Sequence, residues 1–247
     1  MVVILLILAL LSYPVRTDGP SSYETGDREF SHMNYLQAVA MYDSVLATSA
    51  DSADVLWRMA RALTCFADTS TVNTKLELYK RAEVFAHRAV HADSLNSEAH
   101  TWLAVATGNI AVFEGGKTKL RLCRVIKKEI DVSIKLDSCN YIAYSILGSY
   151  YKAIGDVSWV EKQLAAIFLG GIPDGGYKES EVAFRKAIDL SPVVIRNHYE
   201  LGKVYMCQDR KPEAIIEFRK VLWLPVFIGM DIQMQHSAGE LVLEMKN

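Results

Sequence analysis

A beat of about forty-four residues runs through this 247-residue chain and limits what it can fold into. Four segments carry it: VLWRMARAL (55–63), AHTWLAVAT (99–107), AYSILGSYY (143–151) and NHYELGKVY (197–205). Each sets a bulky residue directly before a small one, at Met59–Ala60, Leu103–Ala104, Leu147–Gly148 and Leu201–Gly202. A fixed internal period of this size is the mark of a stacked helical repeat, in which each unit buries its apolar face only against its neighbours.

A second beat follows each first, in RAEVFAHRAVHAD (81–93), VIKKEIDVSIKLD (125–137), SEVAFRKAIDLSP (180–192) and EAIIEFRKVLWLP (213–225). An earlier one, QAVAMYDSVLATS (37–49), has no full partner upstream. Small or apolar residues recur in these segments at i, i+4 and i+7, which is one face of a helix. The triplets are Ala38/Tyr42/Val45, Ala82/Ala86/Ala89, Ile126/Ile130/Ser133, Ser180/Phe184/Ala187 and Ala214/Phe218/Val221. Each unit is therefore expected to be two antiparallel helices, A then B. Helix axes approach closely only where the crossing side chains are small. Ala60, Ala104, Gly148 and Gly202 are accordingly expected to meet alanines such as Ala82 and Ala214. Turn signals separate the units at ADSAD (50–54), DSLNSE (93–98), DSCN (137–140) and LSPVV (190–194). Pro192 stops its helix because it cannot continue the hydrogen-bond ladder.

Residues 195–228 resemble a tetratricopeptide repeat, with Leu201, Gly202 and Tyr205 on helix A, Ala214 and Phe218 on helix B, and Pro225 one place early. The other units resemble the same repeat, lengthened. Leu103 follows Met59 by 44 residues, Leu147 follows Leu103 by 44 and Leu201 follows Leu147 by 54, against 34 in a standard repeat. The strings AVFEGGKTKLRLCRVIKKEIDVSIKLD and IFLGGIPDGGYKESEVAFRKAIDLSP are similar to the regulator of microtubule dynamics family and its bacterial relatives. The layout also resembles the tetratricopeptide protein that accompanies some periplasmic TRAP-type transport systems. The resemblance covers roughly residues 30–245. Pattern and resemblance together predict an all-α, tetratricopeptide-like α-solenoid of about four to five antiparallel helix pairs. It forms a single domain over 23–247, with an extra helix near 156–172 and a capping helix at 231–245. In the extra helix, Trp159, Val160, Leu164, Ile167 and Phe168 are expected to pack on the stack. In the cap, Ile232, Leu241, Val242 and Met245 supply the apolar face.

Several classes of function find no support. The net charge is −2 and the lysines and arginines are scattered, so nothing calls for nucleic acid. EGGKTK (114–119) ends like a P-loop, but position 111, where the first glycine belongs, is Ala111, and helical sequence precedes it where a strand is required. It reads as an A-to-B turn, with Gly115 and Gly116 ending one helix and Thr118 capping the next. Glu83, His87 and His91 share a helical face that points away from Ala82, Ala86 and Ala89, so they read as polar surface and no metal is expected. No G-x-S-x-G is present, and no local signature pairs a nucleophile with a base. No catalytic residue and no cofactor is assigned. Cys65, Cys123, Cys139 and Cys207 are spaced too far apart along helices and repeats to pair, and read as small apolar fillers. The first fifteen residues, MVVILLILALLSYPV, are apolar but short of the roughly twenty that span a bilayer. Residues 1–22 therefore read as a signal peptide or an N-terminal anchor, and the protein as exported to the periplasm or secreted, with membrane contact through that segment if it stays.

The resemblance implies that the A helices line the inner side of a curved stack, where such proteins hold peptides, helices or small ligands. Carrying its inner-face positions onto this chain gives Asp54, Trp57 and Arg61, then Glu98, Thr101 and Asn109. The next pair gives Ser145, Ser149 and Lys152, and the last gives Arg196, Tyr199 and Lys203. Arg61, Lys152, Arg196 and Lys203 suit a carboxylate or phosphate, and Trp57 and Tyr199 offer stacking surfaces. Asn109 is the one asparagine of the set, which departs from the carboxylate-clamp type, so a chaperone tail is not the expected partner. The expected function is non-catalytic: a scaffold or adaptor that binds a protein or peptide on the concave face. The alternative is a ligand-binding partner of a periplasmic transport system, holding a small organic ligand. A cytoskeletal role follows from the family name and is opposed by export.

Overall fold

The computed structural model describes residues 23–48, 52–169 and 171–245, and every regular element among them is a helix. In chain order these are α1 (Glu24–Ser31), α2 (Tyr35–Leu46), α3 (Ala53–Thr69), α4 (Val72–Ala92), α5 (Ser97–Glu114) and α6 (Gly116–Leu136). They continue with α7 (Tyr141–Gly155), α8 (Trp159–Leu169), α9 (Tyr177–Leu190), α10 (Ile195–Cys207), α11 (Lys211–Val221) and α12 (Gly229–Glu244). The hairpins are α1/α2, α3/α4, α5/α6, α7/α9 and α10/α11, with α12 laid on the last. The helix at 37–49 therefore does have an upstream partner: α1 packs on α2.

The turns between units are built alike where the sequence repeats. Asp93 Oδ1 accepts the Leu95 amide and Asn96 caps α5 through the Ala99 amide; forty-four residues on, Asp137 and Asn140 do the same for Cys139 and Ala143. In EGGKTK, Gly115 and Gly116 have φ of 64° and 49°, the left-handed region that suits glycine. Gly115 itself occupies the N-cap of α6, so the expected Thr118 cap is not formed.

All fifteen residues of the five B-face triplets are buried. What they meet differs from expectation. The glycines of the A helices lie against aromatic rings rather than alanines. A Cβ built on Gly148 would stand 2.7 Å from the Phe184 ring, and one on Gly202 would stand 2.7 Å from Phe218. Gly26 abuts Tyr42 in the same way, which extends the device to the first hairpin. Where helix A carries alanine, helix B carries something smaller: Ala60 shares a cluster with Ala86, and Ala104 with Ile130. The two sides trade volume across the A–B contact. The Ser180 hydroxyl adds a buried hydrogen bond to the Gly148 carbonyl at 2.7 Å.

Two buried histidines pin A to B. His100 Nδ1 lies 2.6 Å from Glu129 Oε2 and its Nε2 lies 3.0 Å from the Ser94 carbonyl. His198 repeats this with Glu217 at 2.6 Å and the Pro192 carbonyl at 2.9 Å. A carbonyl only accepts, so Nε2 carries a hydrogen in both, and a second proton is shared between Nδ1 and the carboxylate. Each pair joins helix A, helix B and the preceding turn.

The stack curves until its ends meet. α12 packs on α10 and α11 and also reaches α3. The Gly229 amide donates to Tyr35 Oη at 2.9 Å, and Gly229 lies against Thr69. The cap buries Met234, Ala238 and Val242, whereas Ile232 is exposed, contrary to expectation. α8 forms where the extra helix was expected and rests against α6. Its Ile167 is exposed, not packed, while Ala165 is buried; the Trp159, Val160, Leu164 and Phe168 side chains fall outside the described part. So do residues 1–22. The four cysteines are free, but Cys139 and Cys207 are exposed and so are not core fillers.

Gly148→Ala and Gly202→Ala each force a methyl into an aromatic ring. Each is expected to lower stability by about 1–3 kcal/mol, read from urea denaturation, while Gly108→Ala, whose Cβ meets nothing, is not.

Candidate functional site

Beyond their hairpins, α3 packs on α5, α5 on α7, α7 on α10 and α10 on α12. That succession makes the A helices the inner layer of the curve. Two sectors of the expected lining come together at its ends.

At the first end, Arg61 Nη2 reaches Asp27 at 2.7 Å, and Arg58 Nε reaches the other oxygen of the same carboxylate at 2.9 Å. Arg61 also lies 4.0 Å from the Phe30 ring centroid and 5.1 Å from that of Trp57. Trp57 donates its indole N–H to Asp54 at 3.3 Å. Trp57 and Arg61 are therefore neighbours, held in place by α1. At the other end, Arg196 Nη2 donates to Ser149 Oγ at 3.4 Å, which joins α10 to α7. Lys203 pairs with Glu200 at 3.6 Å and lies 5.4 Å from the Tyr199 ring centroid. Tyr199 in turn packs on Phe218. Lys152 pairs with Asp156 at 3.2 Å; burial pulls its pKa down, but Asp156, with Glu200 of α10 contributing, leaves it raised.

The remaining expected positions divide. Thr101 is buried among Ser97, Ser133 and Asn140 and holds α5, α6 and α7 together; its hydroxyl lies 2.7 Å from Ser133 Oγ. It is part of the frame rather than the lining. Ser145 is buried as well, and its hydroxyl has no protein partner. Asn109 is half-buried on α5. Glu98 accepts from the Trp102 indole at 3.1 Å and from Asn140 at 3.2 Å. Glu83 accepts from Thr107 and so turns toward α5, apart from the exposed His87 and His91.

Electrostatic coupling to the lining arginines joins a polar set that the repeat positions did not supply: Cys65, Asp68 and Tyr141, with Asp231 of α12. Burial raises the Asp68 carboxyl, and the Tyr79 hydroxyl and the positive charges of Arg196 and Lys75 partly offset this. The charge of an α10 arginine is thus felt on α3, across the curve. Burial also raises Glu98, against the Trp102 hydrogen bond and Arg61. It raises Tyr141, with Glu98 adding to the shift. The Cys65 thiol is pushed up to about 12 by burial, with Asp68 adding to it. It stays a protonated thiol at neutral pH and is no nucleophile. Asn197 is fully buried, yet neither its amide oxygen nor its nitrogen has a protein partner, and the same holds for Arg61 Nε and Arg196 Nε. The spacing of Arg61, Cys65 and Asp68 on one stripe of α3 was the available signal.

Ionised Asp68 works against folding. Its folded pKa lies above the unfolded one, so the penalty is absent in acid and complete above the folded pKa. Asp68→Asn keeps the acceptor for Tyr79. It is expected to melt higher than the parent at pH 8 and to lose that advantage by pH 3; an equal shift at both would refute it.

Comparison with known proteins fixes the lineage. The family model described as Regulator of microtubule dynamics protein 1-3 matches residues 22–246. The human regulator of microtubule dynamics protein 2 is 28% identical over 198 residues, covering 79% of this chain and 48% of that protein. The protein 1 of Bos taurus is 25% identical over 224 residues, covering 89% of this chain and 68% of its own length. The chain thus spans about half the length of the first of these relatives. A thermophilic TPR protein of Thermus thermophilus has the same fold, with a TM-score of 0.64 at 14% identity, covering 90% of this chain and 97% of its own. The curated relatives are mammalian, and mammalian cells have no periplasm. The signal-peptide and periplasmic reading of the N-terminus is corrected on that ground, and the periplasmic transport alternative is not favoured. Sequence, hairpin architecture and family match agree: this chain belongs to the regulator of microtubule dynamics family.

Proposed function

We propose that the protein is a non-catalytic scaffold that holds a segment of a partner protein along its inner face. One observation carries this reading. Polar atoms on three of the A helices — Arg61 Nε on α3, Ser145 Oγ on α7, Arg196 Nε and the Asn197 amide on α10 — are buried without protein partners. Buried donors and acceptors of this kind are costly unless something satisfies them. A peptide offers donors and acceptors at regular intervals, and a carboxylate on it suits Arg196 and Lys152. Trp57 and Tyr199 flank the stretch at its two ends.

A cytoskeletal protein is a second reading of the same site. The relatives' name favours it.

Crosslinking the native protein in its own cells, followed by identification of what is captured, tests the proposal. Arg196→Glu with Lys203→Glu is expected to weaken the captured partner roughly tenfold to a hundredfold, as for loss of charged hydrogen bonds. A partner retained by that variant but lost on the outer-face change Lys80→Glu places the interface outside the curve and ends the proposal.

A further inference from the structure

The loop joining α11 to α12 has features that inner-face binding does not use. Residues 222–230, LWLPVFIGM, contain no charged and no polar side chain. Trp223 is 88% exposed and Phe227 51% exposed, with Leu222 exposed beside them and Ile232 exposed on the first turn of α12. Isolated exposed apolar residues are ordinary, but a contiguous group led by a tryptophan is not.

The loop is also rigid in its hydrogen bonding. Gln235 donates to the carbonyls of Val221 and Leu224 at 3.1 and 3.0 Å. Asp231 accepts the amides of Phe227 and Ile228 at 2.9 and 3.0 Å. Part of the loop backbone is therefore satisfied from within, which lowers the cost of approaching a non-aqueous phase. Immediately before the apolar group, the last turn of α11 carries Arg219 and Lys220. Lys220 also pairs with Glu217, whereas Arg219 is exposed. Tryptophan at the polar boundary with basic residues behind it is the chemistry of a bilayer surface, where indole and cation both find partners.

The chain supplies its own route to such a surface. Residues 1–15 are an apolar run. Tyr23 lies under Arg58 of α3, at 4.3 Å from ring centroid to guanidinium carbon. Gly229, at the end of the loop, lies against Thr69 at the far end of the same helix. Arg58 and Thr69 are eleven residues apart on α3, about 16 Å. Seven residues of sequence separate the apolar run from Tyr23, a length that can bridge at most about 25 Å. The apolar run and the loop can therefore meet one membrane face.

We propose that the α11–α12 loop, led by Trp223 and Phe227, docks the repeat domain on a bilayer surface that the N-terminal segment enters. The proposal is independent of what the inner face holds. It is tested with the full chain in vesicles of phosphatidylcholine and phosphatidylserine. Subtracting the emission of Trp223→Phe from the parent isolates Trp223 from the other three tryptophans. That signal is expected to shift to the blue on vesicles, to lose most of its intensity to acyl-brominated lipid and to resist aqueous iodide. A Trp223 that stays open to iodide and indifferent to bromolipid overturns the proposal. So does shielding that develops without lipid as protein concentration rises, which means a second copy, or only on adding a protein extract, which means a protein partner. Because Trp223 is mostly exposed, its replacement is expected to leave the melting curve unchanged. As a second readout, Trp223→Asp with Phe227→Asp is expected to raise amide exchange in the loop on vesicles to its lipid-free rate; unchanged protection overturns the proposal as well.

Discussion

The architecture depends on one contact, the approach of an A helix to its B helix at a residue without a side chain. Gly26 against Tyr42, Gly148 against Phe184 and Gly202 against Phe218 are the same arrangement at three points of the chain. The ring occupies the space a Cβ would need, and so fixes both the spacing of the axes and their register along each other. The remaining two hairpins place alanine there, with a smaller partner opposite. Consistent hairpins stack with a consistent rotation, and a consistent rotation produces curvature. Without these contacts there is no inner face.

The two histidine–glutamate pairs add a different kind of constraint. Burying a charged pair is at best weakly favourable, but breaking one is costly. His100–Glu129 and His198–Glu217 therefore select one register for each hairpin more than they strengthen it. Glu217 illustrates the balance: burial raises its pKa, but the hydrogen bonds from His198 and Lys220 leave it below the usual carboxylate range. Both pairs also anchor the preceding turn, at Ser94 and Pro192, so each hairpin is joined to the one before it.

The fold was legible in the sequence because helical hairpins write their faces into local periodicity. All five triplets are buried, and the turns at 93–96 and 137–140 share the D-S-x-N pattern that builds them. The first hairpin was less legible: α1 is eight residues long, too short for a clear period, although Gly26 precedes Tyr42 by the same sixteen residues that separate Gly202 from Phe218. The lining was legible only in part. Trp57 with Arg61, and Ser149 with Arg196, came together because their positions follow from the repeat alone. Asp68 was available in the stripe it shares with Arg61 on α3, but Asp231 did not emerge because α12 reaches α3 only through the closing of the curve, a property of the accumulated rotation that no single repeat encodes. Thr101 was misplaced for a related reason, since its hydroxyl is claimed by Ser133 and Asn140 from the neighbouring helices.

The meeting of α12 with α3, sealed by Gly229 and Tyr35, changes how such a protein breathes. A linear array frays from its tips, each tip independently of the other. Here a departure of the last helix also uncovers the second and third, so the two termini melt as one unit.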